Sequence, residues 1–423
     1  MEENRWEHQE QAVRCFLREE KGILEMATGT GKTRTAIRIM KELFCQGAID
    51  QAIVITMGND LLAQWHRELL THYKEAILFR WYGGYREFAR FSLTGFPCKI
   101  LLLSMIPEHM ETVLRKMREK GSRTLLVFDE VHRAGAVMSR KKLVPYLDSY
   151  RFRLGLSATP FREYDEEGTE FLESSIGPVI FRFGLEDAIR KGILCRFRYL
   201  TLPYELTAEE KKKKQKIIAK YAKLREVQHV AEEDMYRELA RVNKLASQKL
   251  SEFQKLLEVH PEILERCIIF VETREYGLAL QRILLRHTYR FHTYYGRDDS
   301  SNLIRFADGQ IQCLITCRKI SEGIDIHSVK HIVLFSSDRG KLQTMQRIGR
   351  SLRKEETNSD KTAVIVDFIY RGMVNEDTTA DQERARWLTG LSASGKDGEH
   401  EAEPGITGCT DRRNREHEGN GRI

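Results

Sequence analysis

Short apolar, β-branched runs alternate with amphipathic segments along most of the chain, in two successive blocks. The runs of the first block are 22–26, 52–56, 99–104, 124–128 and 154–156, and those of the second are 267–271, 312–316, 331–335 and 362–368. Segments with apolar residues at helical spacing, such as 35–44 and 61–70, lie between them. Continuous apolar runs are typical of strands buried on both faces, and their alternation with helices is typical of parallel sheets. The pattern predicts an α/β protein with two parallel sheets.

A charged helical stretch separates the two blocks. It begins with Thr207-x-x-Glu210, the pattern of a capping box, and it places Ile217, Tyr221 and Leu224 on one helical face. Residues 207–225 carry eight basic and two acidic side chains, a net charge of +6. The sequence therefore predicts a first domain over 1–200, a charged helical connector over 201–262 and a second domain over 263–370.

The segment after residue 370 differs in composition from the rest. Residues 371–423 hold 8 of the 29 glycines, with 8 basic and 11 acidic side chains and few apolar ones. Such a segment can bury little surface, which predicts a largely disordered C-terminal tail with a short helix near 384–391.

Global composition excludes several protein classes. The 423 residues carry a formal charge of +7, which is compatible with a polyanionic partner but does not require one. No apolar run approaches the ~18 residues of a membrane span, and the N-terminus lacks the order of a secretory signal. We therefore expect a cytoplasmic protein without a membrane partner. The eight cysteines include no Cys-x-x-Cys pair, which favours reduced, buried thiols over a zinc site.

The sharpest local signal is the segment 26–33, which follows a predicted strand and precedes a predicted helix. Glycines let backbone N–H groups turn inward around phosphate oxygens, and a helix N-terminus adds partial positive charge. The lysine would reach the β- and γ-phosphates, and the final threonine would ligate Mg²⁺. A Gly/Thr-rich turn without function is the alternative interpretation. The expected nucleotide-binding residues are Thr28, Gly29, Thr30, Gly31, Lys32 and Thr33.

A second candidate site follows the apolar run 124–128. There, Asp129-Glu-Val-His132 delivers two carboxylates at the end of a strand, where a phosphate-binding fold needs them. Asp129 would hold Mg²⁺ through water, and Glu130 would orient and deprotonate the attacking water. An acidic turn is the alternative when this motif is considered alone.

Together these motifs resemble those of superfamily 2 helicases and translocases of the DExH type, over about residues 5–368. The resemblance implies two tandem RecA-like P-loop domains, with ATP and Mg²⁺ as cofactors. It identifies Gln9 with the adenine-reading glutamine, although Trp6 stands where the family has an arginine. It also implies that Ser157 and Thr159, together with His132, couple hydrolysis to domain movement.

The second block resembles the complementary half of the same family. The segment 320–325 resembles the motif that contacts nucleotide and nucleic acid, which implies roles for Gly323 and Asp325. The segment 346–353 resembles the arginine-finger motif, which implies catalytic roles for Gln346, Arg350 and Arg353. A guanidinium group can hold phosphate oxygens bidentately, and two arginines three apart lie on one helical face.

Proteins of this class grip the phosphate backbone across both sheets, so binding is independent of sequence and sensitive to salt. Polar residues near strand ends are candidate contacts, with turn capping as the alternative for each. The lysine run of the connector could follow a strand of nucleic acid or could be a solvated helix face. The candidate contacts are Thr56, Gln64, Ser104, Arg133, Thr273, Lys211 and Lys212.

The predicted function is that of an ATP-dependent DNA helicase or translocase, with other subunits of a repair, restriction or defence complex as further partners. The segment 184–192 and Gln346 favour the branch of excision-repair translocases and restriction-enzyme motor subunits. RNA stays open, because processive DExH RNA helicases also carry a glutamine at this position. An ATPase scaffold that does not unwind is a second hypothesis. A P-loop kinase or small-molecule NTPase is a third, which the second domain disfavours.

Overall fold

The computed structural model describes residues 6–161, 165–227, 232–295, 298, 301–317, 329–336, 344–345, 347–349, 352, 361–372 and 380–393. Within these residues the chain forms two separate sheets in which all strand pairs are parallel, as the alternation of elements predicts. A search of the described helices finds none that is both long and apolar enough to cross a bilayer.

The first sheet contains seven strands among the described residues. They are β1 (Lys21–Met26), β2 (Gln51–Thr56), β3 (Ile77–Trp81), β4 (Lys99–Ser104), β5 (Thr124–Asp129), β6 (Phe152–Ser157) and β7 (Val179–Phe183). Their spatial order is β3-β4-β2-β5-β6-β1-β7. The α-helices described in this part of the chain are α1 (Glu7–Glu19), α2 (Lys32–Cys45), α3 (Asn59–His72), α4 (Phe88–Leu93), α5 (Pro107–Met117), α6 (Val137–Leu147), α7 (Glu166–Phe171) and α8 (Leu185–Arg190).

Hydrophobic clusters lie on both faces of the first sheet. Alternate residues of a strand point to opposite faces, so Ala52 and Val54 of β2 join one cluster while Ile53 and Ile55 join the other. Every residue of β2, β4, β5 and β6 is buried. Burial on both faces explains why these strands read as continuous apolar runs in the sequence.

The second sheet has the strand order β10-β11-β9-β12-β13-β8. Its strands are β8 (Arg196–Tyr204), β9 (Cys267–Phe270), β10 (Phe291–Tyr294), β11 (Cys313–Thr316), β12 (His331–Leu334) and β13 (Thr362–Tyr370). The helices described in full between β8 and β13 include α9 (Ala208–Val227), α10 (Glu232–Lys244), α11 (Gln248–Val259), α12 (Arg274–Leu284) and α13 (Ser301–Ala307).

Strand β8 precedes the connector in sequence but pairs along its whole length with β13. The boundary drawn at residue 200 in the sequence analysis falls inside this strand. All nine residues of β8 belong to the second sheet, and the boundary between the domains stays a prediction.

The connector is helical in its described residues and begins with the predicted capping box. The Thr207 N–H donates to Glu210 Oε2 at 2.9 Å, and the Glu210 N–H donates to Thr207 Oγ1 at 3.2 Å. Ile217 and Tyr221 pack against Val242 of α10. The predicted apolar face therefore joins α9 to its neighbouring helix.

A helix over Ala380–Ala393, the tail helix, lies within the segment predicted to be largely disordered. It includes the short helix expected near 384–391 and is longer. Arg384 of this helix is buried and forms a bidentate ion pair with Asp367 of β13, with N–O distances of 2.6 and 2.9 Å. The rest of the predicted tail, 373–379 and 394–423, lies outside the described residues.

The cysteines follow the expectation only in part. Cys195, Cys267 and Cys313 are buried, whereas Cys45 at the end of α2 is exposed. Its position on the last turn of an amphipathic helix, outside the buried face, accounts for the difference.

Candidate active site

Three of the predicted motifs meet at one edge of the first sheet. The phosphate loop follows β1, Asp129 is the last residue of β5, and Ser157 is the last residue of β6. These strands are neighbours in the order β5-β6-β1 and run parallel, so their carboxyl ends lie side by side. In open parallel sheets this edge is where ligands bind.

The phosphate loop has the backbone shape that its glycines predict. Gly29 and Gly31 have φ values of +88° and +92°, a region that residues with a side chain rarely adopt. A Cβ atom at Gly31 would also overlap the Gln9 side-chain amide. Lys32 begins α2, and its ammonium group donates to the Met26 carbonyl across the loop at 3.1 Å.

Two side chains of α1 hold the loop from outside. The Gln9 Nε2 and His8 Nε2 atoms both donate to the Thr30 carbonyl, at 3.1 and 2.8 Å. The His8 ring stacks on Phe183 of β7, with ring centroids 4.2 Å apart. The structure thus brings Gln9 to the nucleotide loop, while its contact with adenine stays a prediction. His8 was missed because a lone histidine beside the glutamine carries no signal of its own.

Asp129 is buried, and both its oxygens accept hydrogen bonds. Oδ2 accepts from the Trp65 indole Nε1 of α3 at 2.8 Å, and Oδ1 accepts from the Glu130 N–H at 3.0 Å. Burial and the adjacent Glu130 charge raise the pKa of Asp129 to about 6, against the opposing effects of the Trp65 hydrogen bond and the Lys32 charge. The carboxylate is therefore held in place within the electrostatic range of the phosphate-loop lysine.

Glu130 lies at a sharp turn that redirects the chain out of the sheet. Its φ and ψ are +52° and +53°, in the left-handed region, and a 3₁₀ turn over Val131–Arg133 follows. Such a conformation costs about 1–3 kcal/mol for a residue with a side chain and is concentrated at functional sites.

The predicted coupling residues form one connected group beside Glu130. His132 Nδ1 lies 3.5 Å from Glu130 Oε2 and 3.3 Å from Ser157 Oγ, and Ser157 Oγ accepts from the Thr159 N–H at 3.1 Å. The Thr159 hydroxyl is buried and makes no hydrogen bond with the described part of the chain. The structure thus places Ser157 between the acidic motif and Thr159.

The residues present fit a nucleotide with Mg²⁺. The two left-handed glycines give the loop a backbone shape that side-chain-bearing residues rarely adopt, and Lys32 supplies a cation next to them. Thr33 is half-buried in the first turn of α2, and Asp129 supplies a carboxylate at the neighbouring strand end. Carboxylate and hydroxyl oxygens are the ligands that Mg²⁺ prefers.

Gly349, which lies between β12 and β13 in the sequence, packs against the phosphate loop. A Cβ atom at Gly349 would lie only 2.9 Å from the Thr28 Cβ atom. Its neighbour Arg347 is buried, donates to the Ser336 carbonyl and covers the Phe270 ring at 4.6 Å, so Arg347 serves the fold. The predicted residues Gly323, Asp325, Gln346, Arg350 and Arg353 lie outside the described residues.

Candidate nucleic-acid contacts lie at the same edge of the first sheet. Thr56 and Ser104 end β2 and β4 and are partners in the register of this strand pair. The Thr56 hydroxyl is buried without a hydrogen bond in the described residues, and Ser104 Oγ lies 3.3 Å from His109 Nδ1. Arg133 Nη1 lies 2.8 Å from the sulfur of Met57, the residue after Thr56. Gln64 of α3 is half-buried.

The remaining candidates do not lie at this edge of the first sheet. Thr273 caps α12, because its hydroxyl accepts from the Tyr276 N–H at 3.2 Å. Lys211 and Lys212 are exposed on α9, as either interpretation of the lysine run requires. Lys214 instead lies 5.1 Å above the Tyr370 ring, where burial lowers the pKa of its ammonium group. It is therefore not part of an exposed basic surface.

Comparison with known proteins agrees with this arrangement. Residues 4–162 match the family model of the type III restriction enzyme res subunit, and residues 248–355 match that of the helicase conserved C-terminal domain. The chain is 25% identical over 388 residues to DNA 3'-5' translocase XPB2 of Sulfurisphaera tokodaii, which covers 86% of this chain and 81% of that protein.

Solved structures share the fold. The Hef helicase domain of Pyrococcus furiosus superposes with a TM-score of 0.57 at 15% identity, over 90% of this chain and 97% of that one. The DNA-bound type ISP restriction-modification enzyme LlaBIII gives a TM-score of 0.59 at 16% identity over 93% of this chain. The chain spans only 29% of the length of that restriction enzyme. With the res-subunit model and the helicase C-terminal model matched in order and the phosphate loop, acidic strand end and second sheet in place, the chain belongs to the superfamily 2 helicases.

Proposed function

We propose that the protein is a nucleic-acid-stimulated ATPase that uses ATP hydrolysis to move along DNA. The observation that carries this proposal is the meeting of the phosphate loop, Asp129, Glu130 and Ser157 at adjacent strand ends, with Gly349 from the segment between β12 and β13 against the loop. A nucleotide bound there would lie between the two sheets. Its hydrolysis can then change how closely the sheets approach.

In this mechanism Lys32 exchanges the Met26 carbonyl for the β- and γ-phosphate oxygens of ATP. Thr33 and Asp129 would hold Mg²⁺, which neutralises charge on the same phosphates when it is bound. Glu130 accepts the proton of the attacking water, and the left-handed turn directs its carboxylate out of the sheet. Arg350 and Arg353 are proposed to stabilise the charge that develops on the γ-phosphate, as guanidinium groups do from an opposing domain.

Movement would follow from the group around Ser157. Loss of the γ-phosphate changes the charge next to Glu130, and His132 and Ser157 lie within reach of that change. Thr159 follows Ser157 where the chain leaves β6, so a shift at Ser157 would displace the segment that leads to α7. This order of contacts supports a coupling role for the three residues.

DNA is the proposed track because the XPB2 relative is named a DNA translocase and the LlaBIII structure contains DNA. The phosphate backbone would cross the ends of β2 and β4, near Thr56, Ser104 and Arg133. Binding through the backbone alone predicts strong salt dependence and little dependence on base sequence. Other subunits of a repair or restriction complex are proposed partners.

The decisive experiment is the ATPase rate with single- and double-stranded DNA and RNA at several salt concentrations. We expect stimulation by DNA in the wild type. Lys32→Ala should lose ATP binding, whereas Glu130→Gln should bind ATP without turning it over. Stimulation by RNA alone would refute the DNA assignment, and a wild-type rate in Glu130→Gln would refute the assignment of the base.

A further inference from the structure

A hydrogen bond connects Trp65 of α3 to Asp129 of the acidic motif, and no sequence motif includes both residues. Trp65 is completely buried in α3, and its indole Nε1 donates to Asp129 Oδ2 at 2.8 Å. An indole is a hydrogen-bond donor only, so it can stabilise the ionised carboxylate but cannot take its proton. A backbone carbonyl would satisfy a buried indole equally well. Here the acceptor is instead the carboxylate proposed to hold Mg²⁺.

Together with a second hydrogen bond, this one fixes the orientation of the Asp129 carboxylate. Oδ1 accepts from the Glu130 N–H at 3.0 Å, so each oxygen has one donor and retains lone pairs for a metal-bound water. The indole itself is held by the hydrophobic cluster that also includes Leu62 and Leu69 of α3. With both donors in place, the carboxylate cannot rotate without losing a hydrogen bond.

The helix that carries Trp65 also belongs to the candidate nucleic-acid edge. Helix α3 begins at Asn59, three residues after Thr56, and it carries Gln64 next to Trp65. A second contact joins the same two segments, because Arg133, just after the acidic motif, reaches the Met57 sulfur at 2.8 Å. Two contacts, Trp65 with Asp129 and Met57 with Arg133, therefore connect this edge to the segment 129–133. A displacement of the edge would act on both ends of that segment.

We infer that Trp65 is a positioning residue: its indole N–H orients the Asp129 carboxylate for Mg²⁺, and α3 transmits nucleic-acid binding to that carboxylate. The inference rests on the proposed function. Loss of the N–H leaves Asp129 with one orienting donor, and loss of such an outer partner typically weakens metal binding by about 10-fold or more. It also removes the shared bond between α3 and the metal-holding residue.

The test measures the Mg²⁺ affinity of the full chain with ADP bound, by isothermal titration calorimetry, where we expect binding weaker by about 10-fold or more in the variants. It also measures the ATPase rate against Mg²⁺ concentration, with and without DNA. Trp65→Phe removes the donor, and Trp387→Phe in the tail helix is the matched control. A second variant carries 3-benzothienylalanine at position 65, in which sulfur replaces the N–H while the bicyclic shape is kept. This variant separates the hydrogen bond from packing if Trp65→Phe folds poorly.

We expect both variants to need at least about 10-fold more Mg²⁺ for half-maximal rate. The maximal rate should recover at high Mg²⁺, and DNA should stimulate less. Wild-type Mg²⁺ dependence in the benzothienyl variant would overturn the positioning role. A Mg²⁺ shift with full DNA stimulation would overturn the transmission through α3. Absence of DNA stimulation in the wild type would contradict the proposed function, and the basal rate would still report the Mg²⁺ shift.

Discussion

At the scale of single residues, the protonation state of Asp129 that favours folding differs from the one that the proposed Mg²⁺ site requires. Magnesium binding requires the ionised carboxylate, while burial and Glu130 raise its pKa to about 6 from the ordinary 3.8. Between these two values the folded protein binds a proton that the unfolded chain does not. Folding stability from this group is therefore present at low pH and is lost as the pH rises through about 6, with a cost of about 2–3 kcal/mol above it.

Asp129→Asn should consequently gain stability relative to wild type as the pH rises. We expect the difference in melting temperature, measured with a metal chelator, to shift in favour of the variant between about pH 4.5 and pH 8. ATPase activity should be abolished at every pH, because the amide cannot replace the carboxylate.

Asp148→Asn is the matched control, because the Asp148 side chain is fully exposed. The difference in melting temperature between Asp148→Asn and wild type should not shift in favour of the variant as the pH rises. If the melting temperatures of Asp129→Asn and wild type changed in parallel with pH, the pKa of the Asp129 carboxyl would not be raised in the folded protein.

The candidate site residues that the sequence predicts are those that belong to a local motif. Gly31, Lys32, Asp129 and Glu130 follow from spacing next to apolar runs, and the structure brings them to one edge. Trp65 could not be found in this way, because it lies 64 positions from Asp129 and reads as an ordinary apolar position of α3. Such a contact depends on the strand order, which places β2 beside β5 and which no local pattern specifies.

At the scale of elements, the tail helix is joined to the second sheet by a buried ion pair. The Asp367 carboxylate is completely buried and accepts from Arg384, from the Tyr199 hydroxyl and from the Phe368 N–H. Removal of one partner from such a pair leaves a buried charge, which costs about 3–5 kcal/mol. Arg384→Met should therefore destabilise the second sheet by this amount, as measured by urea unfolding with the fluorescence of Trp387 on the same helix.

Arg386→Met supplies the control, because Arg386 lies exposed on the same helix. It should change the unfolding free energy by less than about 0.5 kcal/mol. Equal losses in the two variants would mean that the charge of the helix matters rather than the pairing with Asp367.

The lysines at the start of α9 give a second prediction at this scale. Each phosphate contact releases counterions, so loss of two contacts should lower the slope of log affinity against log salt by about two. We expect this for Lys211→Ala/Lys212→Ala in DNA binding. The control is Lys255→Ala/Lys330→Ala, which removes two lysines that pair with glutamates elsewhere. An unchanged slope in the first variant would identify the run as a solvated helix face.

The strands that sequence analysis missed share one property. They are β3, β7, β8 and β10, which form the four edges of the two sheets. An edge strand has one neighbour and is buried less completely, so its sequence mixes polar and apolar residues, as in β8, where two of nine residues are buried. The interior strands were found because burial on both faces selects continuous apolar runs. A pattern search based on such runs therefore describes the centre of a parallel sheet better than its margins.

At the scale of the whole molecule, the two halves of the chain approach each other where Gly349 lies against the phosphate loop. Gly349 has an ordinary helical neighbourhood, yet a Cβ atom there would lie 2.9 Å from the Thr28 Cβ atom. Real Cβ contacts are longer, and both atoms are fixed to backbone, so the two segments would have to separate. The glycine is thus explained by the closeness of the two halves of the cleft and not by the local backbone.

Gly349→Ala therefore tests whether this closeness serves hydrolysis. Alanine favours a helix over glycine, so the local structure should not be weakened. The cleft should close less far, and displacement of groups at a reacting centre by about 1 Å can cost about 100-fold in rate. We expect a loss of at least about 10-fold in DNA-stimulated turnover with ATP binding retained, since Lys32 lies in the part of the chain that forms the first sheet.

Gly390→Ala in the tail helix, where a Cβ atom meets nothing within 4 Å, should leave turnover unchanged. Full activity in Gly349→Ala would mean that hydrolysis proceeds with the two sheets further apart, and the arginines proposed beside Gly349 could then not be the groups that complete the site.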